Sequence, residues 1–306
     1  MRNGKVALVT GSSTGIGAAC ALQLAKDGYD VAVHYNSSPA EAQKVLARIH
    51  EEAPDVNTCL LQGDTSDPDV PARLVRETVE KLGRLDVDVN NAGITIFQQA
   101  HEITVDVMDK LYNLNYRGMI LGAVAASKYM IENGVKGTII FNTSIRGFAP
   151  HGDDGIYGGL KWGLNRTIKS FALDLGKYGI RVNGFSPGVT NVMSPEPEDE
   201  KLNPFYSVSH KFIPLKRNGY AEDMGNVVSF LASEKASYIT GQVICVDGGM
   251  SVVGAFENLG NLFDVCDIAD IVADPAYTDS KSFIASFMKA MEEQKLRHEA
   301  RDKAQE

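Results

Sequence analysis

Residues 6–17 read VALVTGSSTGIG, an apolar run that leads into three closely spaced glycines. The run at 6–10 predicts a β-strand, and the alanine-rich segment at 16–26 predicts a helix. Glycines have no Cβ, so the backbone of such a turn can approach a pyrophosphate, and the next helix offers free N–H groups and a partial positive charge. The alternative is a tight turn without a ligand, but the strand before and the helix after favour dinucleotide binding. The residues expected to contact the dinucleotide are Gly11, Ser13, Thr14, Gly15, Ile16 and Gly17.

The same alternation of short apolar runs and longer helical patterns continues to about residue 250. Strands are predicted at 6–10, 31–35, 58–61, 87–90, 137–142, 181–186 and 242–246. Helices are predicted at 16–26, 40–52, 70–82, 108–131, 155–176 and 222–232. Nearly all-apolar strands separated by amphipathic helices are typical of a parallel sheet covered on both faces. We therefore expect an α/β, doubly wound, Rossmann-like fold with a seven-stranded parallel sheet, whose ligands bind at the carboxyl ends of the strands.

Composition narrows the possible partners. The 306-residue chain has a net charge of −9, which argues against binding of nucleic acid. No apolar run is long enough to span a membrane, and no signal peptide is recognised at the start. Four scattered cysteines form no zinc-binding pattern, so no metal site is predicted. We expect a soluble, cytoplasmic protein.

Two segments depart from the regular alternation. Residues 194–214 are rich in proline, acidic and aromatic residues, and are either a substrate-covering loop or a solvated insertion. Residues 251–306 carry 11 acidic and 6 basic side chains and an apolar stripe at helical spacing. The expected organisation is a catalytic domain at 1–253 and an acidic C-terminal helical extension at 254–306.

The end of the second predicted strand bears on the choice of cofactor. An acidic residue there would bind the adenosine ribose 2′-hydroxyl and repel a 2′-phosphate. This chain has Tyr35, Asn36 and Ser37 instead. The sequence therefore favours NADP, and NAD is possible.

Polar residues of a kind that supports catalysis follow several strands. Tyr157 and Lys161 lie one helical turn apart, Ser144 follows the predicted strand 137–142, and Asn115 lies in the long predicted helix. Together with TGSSTGIG (10–17), NNAG (90–93) and VDGG (246–249), these residues resemble the short-chain dehydrogenase/reductase superfamily, in its single-domain branch. The similarity covers roughly the first 250 residues and is strongest to glucose-1-dehydrogenase and 3-oxoacyl-reductase-like members.

The resemblance implies an NAD(P)-dependent oxidoreductase that interconverts a secondary alcohol and a ketone. A ketone that receives hydride needs a proton donor at its oxygen. Tyr157 is the expected general acid/base, and Lys161 is expected to lower its pKa and to bind the nicotinamide ribose. Ser144 is expected to polarise the carbonyl group, and Asn115 to hold a proton-relay water.

The resemblance also implies further cofactor contacts and an assembly. The residues concerned are Asp64, Thr65, Asn91, Gly93, Pro187, Gly188, Val189 and Thr190. Asp64 is expected at the adenine, with a purely turn-forming role as the alternative. Members of the superfamily are often tetrameric, so a homo-oligomer, tetramer or dimer, is expected.

The substrate is left open between several classes. Polar residues between Ser144 and Tyr157, among them Arg146 and Asp154, favour a polar carbonyl compound, a sugar or a polyol. A steroid or 3-oxoacyl substrate is the alternative with the same mechanism, and a non-catalytic NAD(P)-binding sensor or scaffold is the alternative from another class. Asp88 interrupts an otherwise apolar strand, so a cationic or hydrogen-bonding partner is predicted for it.

Overall fold

The computed structural model describes residues 2–192 and 203–252. Seven parallel strands form one sheet in the order β3-β2-β1-β4-β5-β6-β9. Their bounds are β1 Val6–Val9, β2 Asp30–Tyr35, β3 Thr58–Gln62, β4 Val87–Asn90, β5 Thr138–Asn142, β6 Arg181–Pro187 and β9 Val243–Val246. Two short strands, β7 (Thr190–Asn191) and β8 (Gly219–Tyr220), pair separately. The predicted seven-stranded parallel sheet is confirmed.

Helices connect the strands and cover both faces of the sheet. Their bounds are α1 Gly15–Lys26, α2 Pro39–Glu52, α3 Val70–Leu82, α4 Val105–Tyr112, α5 Met119–Glu132, α6 Gly155–Leu175, α7 Pro204–Ser209 and α8 Ala221–Ala232. Strand β1 shows how the two layers arise, because successive strand residues point to opposite faces. Ala7 and Val9 pack into one apolar cluster, whereas Leu8 packs into the other. Burial on both faces explains why the strands are almost entirely apolar.

One predicted helix is interrupted. The sequence predicts a continuous helix at 108–131, but a π-helical turn at Asn113–Gly118 separates α4 from α5. The helix also begins earlier, at Val105, because the hydroxyl of Thr104 accepts a hydrogen bond from the Val107 N–H (3.4 Å) and caps it. The extra residue in the π turn rotates α5 about the helix axis relative to α4, and such turns are frequent at functional sites.

The chain divides into two compact units. The first comprises residues 1–187 and 221–246 and contains all seven strands of the sheet. The described part of the second comprises residues 188–192, 203–220 and 247–252 and contains β7, β8 and α7. The predicted loop 194–214 is partly helical, since α7 and a 3₁₀ turn (His210–Phe212) occupy its second half. The side chains of Ser209 and Asn218 stabilise this helix by hydrogen bonds to each other (2.6 Å) and, through Asn218, to the Tyr206 carbonyl oxygen (2.8 Å).

Two further expectations concern residues that the structure does not describe. The first part of the predicted loop (194–202) and the extension 254–306 lie outside the described residues, so the domain boundary at 253 stays a prediction. Among residues 2–192 and 203–252, no helix is both long and apolar enough to cross a membrane.

Candidate active site

Side chains at the carboxyl ends of β1, β4 and β5 are joined by hydrogen bonds. The Asn91 amide nitrogen donates to the carbonyl oxygens of Thr10 (2.9 Å) and Gly11 (3.2 Å). The amide oxygen of Asn91 accepts from the amide of Asn142 (2.8 Å), whose own carbonyl oxygen accepts from the Lys161 ammonium group (2.8 Å). The glycine turn and the predicted catalytic lysine are therefore linked by one chain of hydrogen bonds.

The glycine turn adopts a conformation that requires glycine. Gly11 and Gly15 have φ angles of 64° and 56°, in the left-handed region. A Cβ on Gly17 would lie 2.3 Å from the Gly11 carbonyl oxygen and 2.5 Å from the Asn91 amide nitrogen. Buried His34 fixes the turn from β2: its Nδ1 accepts from the Gly11 N–H (2.9 Å), and its Nε2 donates to the Gly63 carbonyl oxygen (2.9 Å). Burial lowers the pKa of His34 to about 4, so the ring is neutral at pH 7.

The N-terminus of α1 fits a phosphate group. Thr14 is the N-cap residue, but its side chain makes no capping hydrogen bond, and no acidic residue lies in the first turn. The N–H groups of this turn are therefore available to an anion. Ser13 and Thr14 lie at the surface of the turn, whereas Ile16 packs against the core and anchors the helix. The residues present fit the pyrophosphate of a dinucleotide.

The residues predicted to contact the adenosine half of the cofactor differ in their exposure to solvent. Tyr35 is half-buried at the end of β2, and Asn36 and Ser37 are exposed beyond it. Asp64 is exposed, and one of its carboxylate oxygens accepts from the Ser66 N–H (2.9 Å), which is the turn-forming role. Its other oxygen accepts no hydrogen bond from residues 2–192 or 203–252, and the adenine contact stays a prediction. Thr65 is buried beside it.

Close packing of a turn against α6 brings the predicted catalytic residues together. Ser144 follows β5 and precedes the 3₁₀ turn Ile145–Gly147. A Cβ on Gly147 would lie 2.9 Å from the backbone of Lys161, and a Cβ on Gly158 would lie 2.9 Å from the Arg146 carbonyl oxygen. These two glycines let the turn approach the helix that carries Tyr157, where the Ser144 side chain interacts with the tyrosine hydroxyl.

The electrostatic surroundings of Tyr157 and Lys161 set their protonation. Burial raises the pKa of Tyr157, and the side chains of Ser144 and Thr95 oppose this rise. The Lys161 ammonium nitrogen lies 5.6 Å from the centre of the Tyr157 ring. Burial lowers the pKa of Lys161 to about 7. The expectation that Lys161 lowers the Tyr157 pKa thus depends on a lysine whose own charge is lost close to neutral pH.

The side chain of Asn115, in the π-helical turn, binds both backbone polar groups of Ile94, an arrangement here called the clamp. Its side-chain oxygen accepts from the Ile94 N–H (2.8 Å), and its amide nitrogen donates to the Ile94 carbonyl oxygen (2.6 Å). The turn therefore holds the backbone just after NNAG. Gly93 needs its missing side chain here, because a Cβ would lie 2.9 Å from the Asn115 oxygen. Both predicted residues thus shape the same end of β4.

The residues predicted for the nicotinamide side fall into both units. Pro187 ends β6 in the first unit, and Gly188, Val189 and Thr190 begin the second. Within the second unit, the Thr190 hydroxyl donates to the Gly188 carbonyl oxygen (3.1 Å). A Cβ on Gly188 would lie 2.6 Å from the Asp247 side chain. The carboxamide contact predicted for these residues stays a prediction.

Asp88 has the hydrogen-bonding partner that was predicted. Its side chain is fully buried, and one carboxylate oxygen accepts from the Asn90 amide (2.6 Å). The other oxygen is buried without a hydrogen bond among the described residues, beside a cavity of about 10 Å³ that also contacts Thr10 and Thr65. Burial raises the pKa of Asp88 to about 7.

Sequence reasoning missed several residues of this site. Thr95, which interacts with the Tyr157 hydroxyl, lies just after NNAG, so its position beyond a strand end was the available signal. His34 and Asn142 are polar residues in otherwise apolar strands, and that contrast could have indicated their hydrogen bonds to the turn and to Lys161.

Comparison with known sequences identifies relatives along most of the chain. A family model described as enoyl-(acyl carrier protein) reductase matches residues 11–251. L-rhamnose 1-dehydrogenase (NAD(P)+) from Sphingomonas sp. (strain SKA58) is 36% identical over 81% of this chain and 97% of its own. Glucose 1-dehydrogenase from Gluconobacter oxydans is 35% identical over 83% and 95%. 3-Oxoacyl-[acyl-carrier-protein] reductase from Staphylococcus aureus is 37% identical over 82% and 99%.

Solved structures are similar over the same part of the chain. Acetoin dehydrogenase from Salmonella typhimurium superposes with a TM-score of 0.76 at 32% identity, over 83% of this chain and 98% of that one. A short chain dehydrogenase from Burkholderia cenocepacia in complex with NADP gives 0.73 at 34%, over 81% and 98%. The seven-stranded parallel sheet with helices on both faces agrees with these structural relationships. The chain belongs to the short-chain dehydrogenase/reductase superfamily and is an NAD(P)-dependent oxidoreductase of alcohol and carbonyl groups.

Proposed function

We propose that Tyr157 is the general acid in carbonyl reduction and the general base in alcohol oxidation. The observation that carries this proposal is the convergence of Ser144, Tyr157 and Lys161 where the 3₁₀ turn after β5 packs on α6. A bound nicotinamide supplies or accepts the hydride. The Tyr157 hydroxyl protonates the carbonyl oxygen as negative charge develops on it, and the Ser144 hydroxyl donates a hydrogen bond to the same oxygen.

Lys161 and Asn115 support this step. The Lys161 ammonium group, held at the Asn142 carbonyl oxygen, binds the nicotinamide ribose and in its charged form favours the Tyr157 phenolate. Asn115 holds the relay water through its main chain, because both polar groups of its side chain contact Ile94. The proton lost from Tyr157 is replaced from solvent along this route.

Tyr157→Phe tests the assignment of the proton donor. The variant should lose turnover by about 10²–10⁴-fold, the usual contribution of a general acid, and keep its NADPH affinity. Tyr238→Phe is the matched control, because Tyr238 is fully exposed. NADPH oxidation with a panel of carbonyl compounds gives the rate, and NADPH fluorescence gives the affinity. Full turnover in Tyr157→Phe would show that another group donates the proton.

NADP is the proposed cofactor, with NAD as the weaker alternative. Support comes from the end of β2, where the exposed Asn36 and Ser37 carry no negative charge to repel a 2′-phosphate. Asn36→Asp should lower the ratio of kcat/KM for NADPH to that for NADH by about tenfold or more, because the new carboxylate would repel the phosphate. Asn133→Asp is the control, because it adds the same charge at an exposed residue that follows α5. An unchanged ratio would contradict the proposed position of the 2′-phosphate.

A polar carbonyl compound, a sugar or a polyol is the proposed substrate class. Arg146 and Asp154 near Tyr157 support it, and two of the relatives are named as sugar dehydrogenases. A 3-oxoacyl substrate is the second candidate, favoured by the relative named as a 3-oxoacyl reductase. Turnover of aldoses and polyols should exceed that of a 3-oxoacyl thioester in a direct comparison of kcat/KM. The reverse order would favour the second candidate.

The proposed assembly is a homo-oligomer through the outer face of α4 and α6. Trp162 and Leu173 lie eleven residues apart on one side of α6 and are 59% and 84% exposed. Val105 and Met108 of α4 are also exposed, and a groove of about 350 Å³ lies between the two helices. A second copy of the chain would cover these apolar side chains. Leu173→Glu should therefore reduce the mass found by light scattering, and a monomeric parent would contradict the proposal.

The proposed location is the cytoplasm. The thiols of Cys20, Cys59 and Cys245 are free, as is usual in a reducing compartment. Cell fractionation should recover the protein with cytoplasmic markers. Recovery in the membrane or an extracellular fraction would contradict this location.

A further inference from the structure

Arg146 and Asp154 form an ion pair beside the proposed catalytic tyrosine. The Arg146 Nε lies 3.6 Å from the Asp154 Oδ2, a distance too long for a hydrogen bond. The Asp154 side chain is 3% exposed, and its Oδ2 is buried without a hydrogen bond among the described residues. Both charges act on the Tyr157 hydroxyl: Arg146 lowers its pKa and Asp154 raises it.

The Arg146 guanidinium group has N–H donors that make no hydrogen bond among the described residues. Its side chain is 21% exposed, and within residues 2–192 and 203–252 it donates to no acceptor. The backbone of Arg146 is nevertheless fixed, because its N–H donates to the Ser144 hydroxyl oxygen (3.2 Å) and its carbonyl oxygen lies against Gly158. An arginine that is held in place by an ion pair keeps its orientation and presents free N–H donors to solvent next to Ser144 and Tyr157.

The loop before α6 places a further carboxylate near the Arg146–Asp154 ion pair and is held by a backbone hydrogen bond. The carbonyl oxygen of Asp153 accepts from the Gln98 N–H (2.8 Å), which joins the loop before α6 to the loop after β4. Asp153 has a φ of 66°, a left-handed conformation that a non-glycine residue adopts at a cost. Its carboxylate acts electrostatically on Asp154, so one positive and two negative charges meet here. His151 is exposed on the same loop and also acts electrostatically on Asp154, in the direction opposite to Asp153.

We infer that Arg146, oriented by Asp154, determines specificity by donating hydrogen bonds to a hydroxyl group of a polyhydroxylated, uncharged substrate such as an aldose or a cyclitol. The inference rests on the proposed function and deepens it. The ion pair already neutralises the guanidinium charge, and Asp153 adds a negative charge, so a carboxylate or phosphate on the substrate would be repelled. A hydroxyl group next to the reacting carbon accepts from the free N–H donors without bringing a charge.

Arg146→Met tests the inference with two kinds of alcohol. L-rhamnose, D-glucose and myo-inositol are polyhydroxylated, whereas cyclohexanol is a ring alcohol with a single hydroxyl group. Loss of a hydrogen bond from a charged donor should raise KM for the polyhydroxylated substrate by about 10- to 100-fold. Cyclohexanol has no second hydroxyl group to lose a partner, so its kcat/KM should fall much less than that of the polyhydroxylated substrate. It should stay within about twofold when Asp154→Asn is added, because Arg146 and Asp154 act on the Tyr157 pKa in opposite directions.

Two further variants separate recognition from folding. Arg146→Met leaves the buried Asp154 carboxylate unpaired, which is destabilising in itself. The double variant Arg146→Met/Asp154→Asn removes both charges and should show the same selective rise in KM. Arg76→Met is the matched control, because Arg76 and Glu80 form an exposed pair of similar length (3.7 Å) on α3. The control should leave both substrate classes unchanged.

The outcomes distinguish this inference from the proposed function. A selective loss for polyhydroxylated substrates in both Arg146 variants supports it. Equal losses for both classes, no change in either, or a parent enzyme that turns over cyclohexanol but no polyhydroxylated compound would overturn the inference and leave the proposed mechanism standing. A parent that turns over no alcohol or carbonyl compound would overturn both.

Discussion

The buried carboxyl group of Asp88 should make the stability of this protein fall as the pH rises, and Asp88→Asn should remove that dependence. The carboxyl group lies on the central strand β4 between Leu8 and Ile139 of the neighbouring strands. Burial raises its pKa from 3.8 to about 7, despite the hydrogen bond from Asn90. The ionised form is therefore far less favourable in the folded protein than in the unfolded chain.

The sign and size of the effect follow from these two values. Because the folded-state pKa lies above the unfolded-state value, the stability from the neutral carboxyl group is complete below pH 3.8 and is lost as the pH rises through about 7. A pKa unit corresponds to about 1.4 kcal/mol, so the whole loss is about 4 kcal/mol. About 2–3 kcal/mol of this loss falls between pH 5 and pH 8.

Urea unfolding followed by circular dichroism at several pH values between 5 and 8 measures this loss. Asp88→Asn keeps the size of the side chain and cannot ionise, so the difference in free energy of unfolding between parent and variant should shift by about 2–3 kcal/mol across that range. Asp69→Asn is the control, because Asp69 is exposed and its side chain makes no capping hydrogen bond to α3. Parallel pH profiles for the parent and Asp88→Asn would refute the reasoning.

Three further substitutions probe the cofactor turn and its supports. Gly17→Ala should weaken NADPH binding by about tenfold or more in a fluorescence titration, because the new Cβ would clash with the Gly11 carbonyl oxygen at 2.3 Å; unchanged affinity would contradict this. Asn115→Ala should lower the free energy of unfolding in urea by about 2–4 kcal/mol, since both backbone groups of Ile94 lose their partner; a loss below about 1 kcal/mol would argue against the clamp. His34→Leu should raise the Kd for NADPH about tenfold, because the Gly11 N–H loses its acceptor. Calorimetry measures the Kd, and an unaltered value would show that the glycine turn needs no hydrogen bond from β2.

Much of the fold could be predicted from the sequence because burial leaves a simple pattern. Strands covered on both faces must be apolar along most of their length, so all seven are predicted with ends displaced by one residue at most. The π-helical turn at Asn113–Gly118 could not be found in this way. Its extra residue leaves the surrounding apolar periodicity almost unchanged, and its cause is a contact between Asn115 and the distant Ile94.

The candidate site was predictable where the chemistry depends on local spacing. Tyr157 and Lys161 lie one turn apart on α6, and the glycines of 11–17 precede a helix, so their proximity follows from local structure. Protonation does not follow from spacing. The lowered pKa of Lys161 is caused by burial, and the ion pair of Arg146 with Asp154 depends on how closely a turn packs on the helix. Both the pKa of Lys161 and this ion pair depend on contacts that exist only in the folded protein.

The hydrogen-bonded chain from Thr10 through Asn91 and Asn142 to Lys161 has a consequence for engineering. It joins the ends of three strands to one helix, so the proposed adenosine-binding half of the site and the proposed catalytic half share one network of hydrogen bonds, here called the polar spine. A chimera that takes its first two strands from a homologue with another cofactor preference must preserve the contact between Thr10 and Asn91 at the new junction. Chimeras that keep the hydrogen bonds of the polar spine should acquire the cofactor preference of the homologue without loss of turnover. Chimeras that lose them should show both weaker cofactor binding and lower turnover.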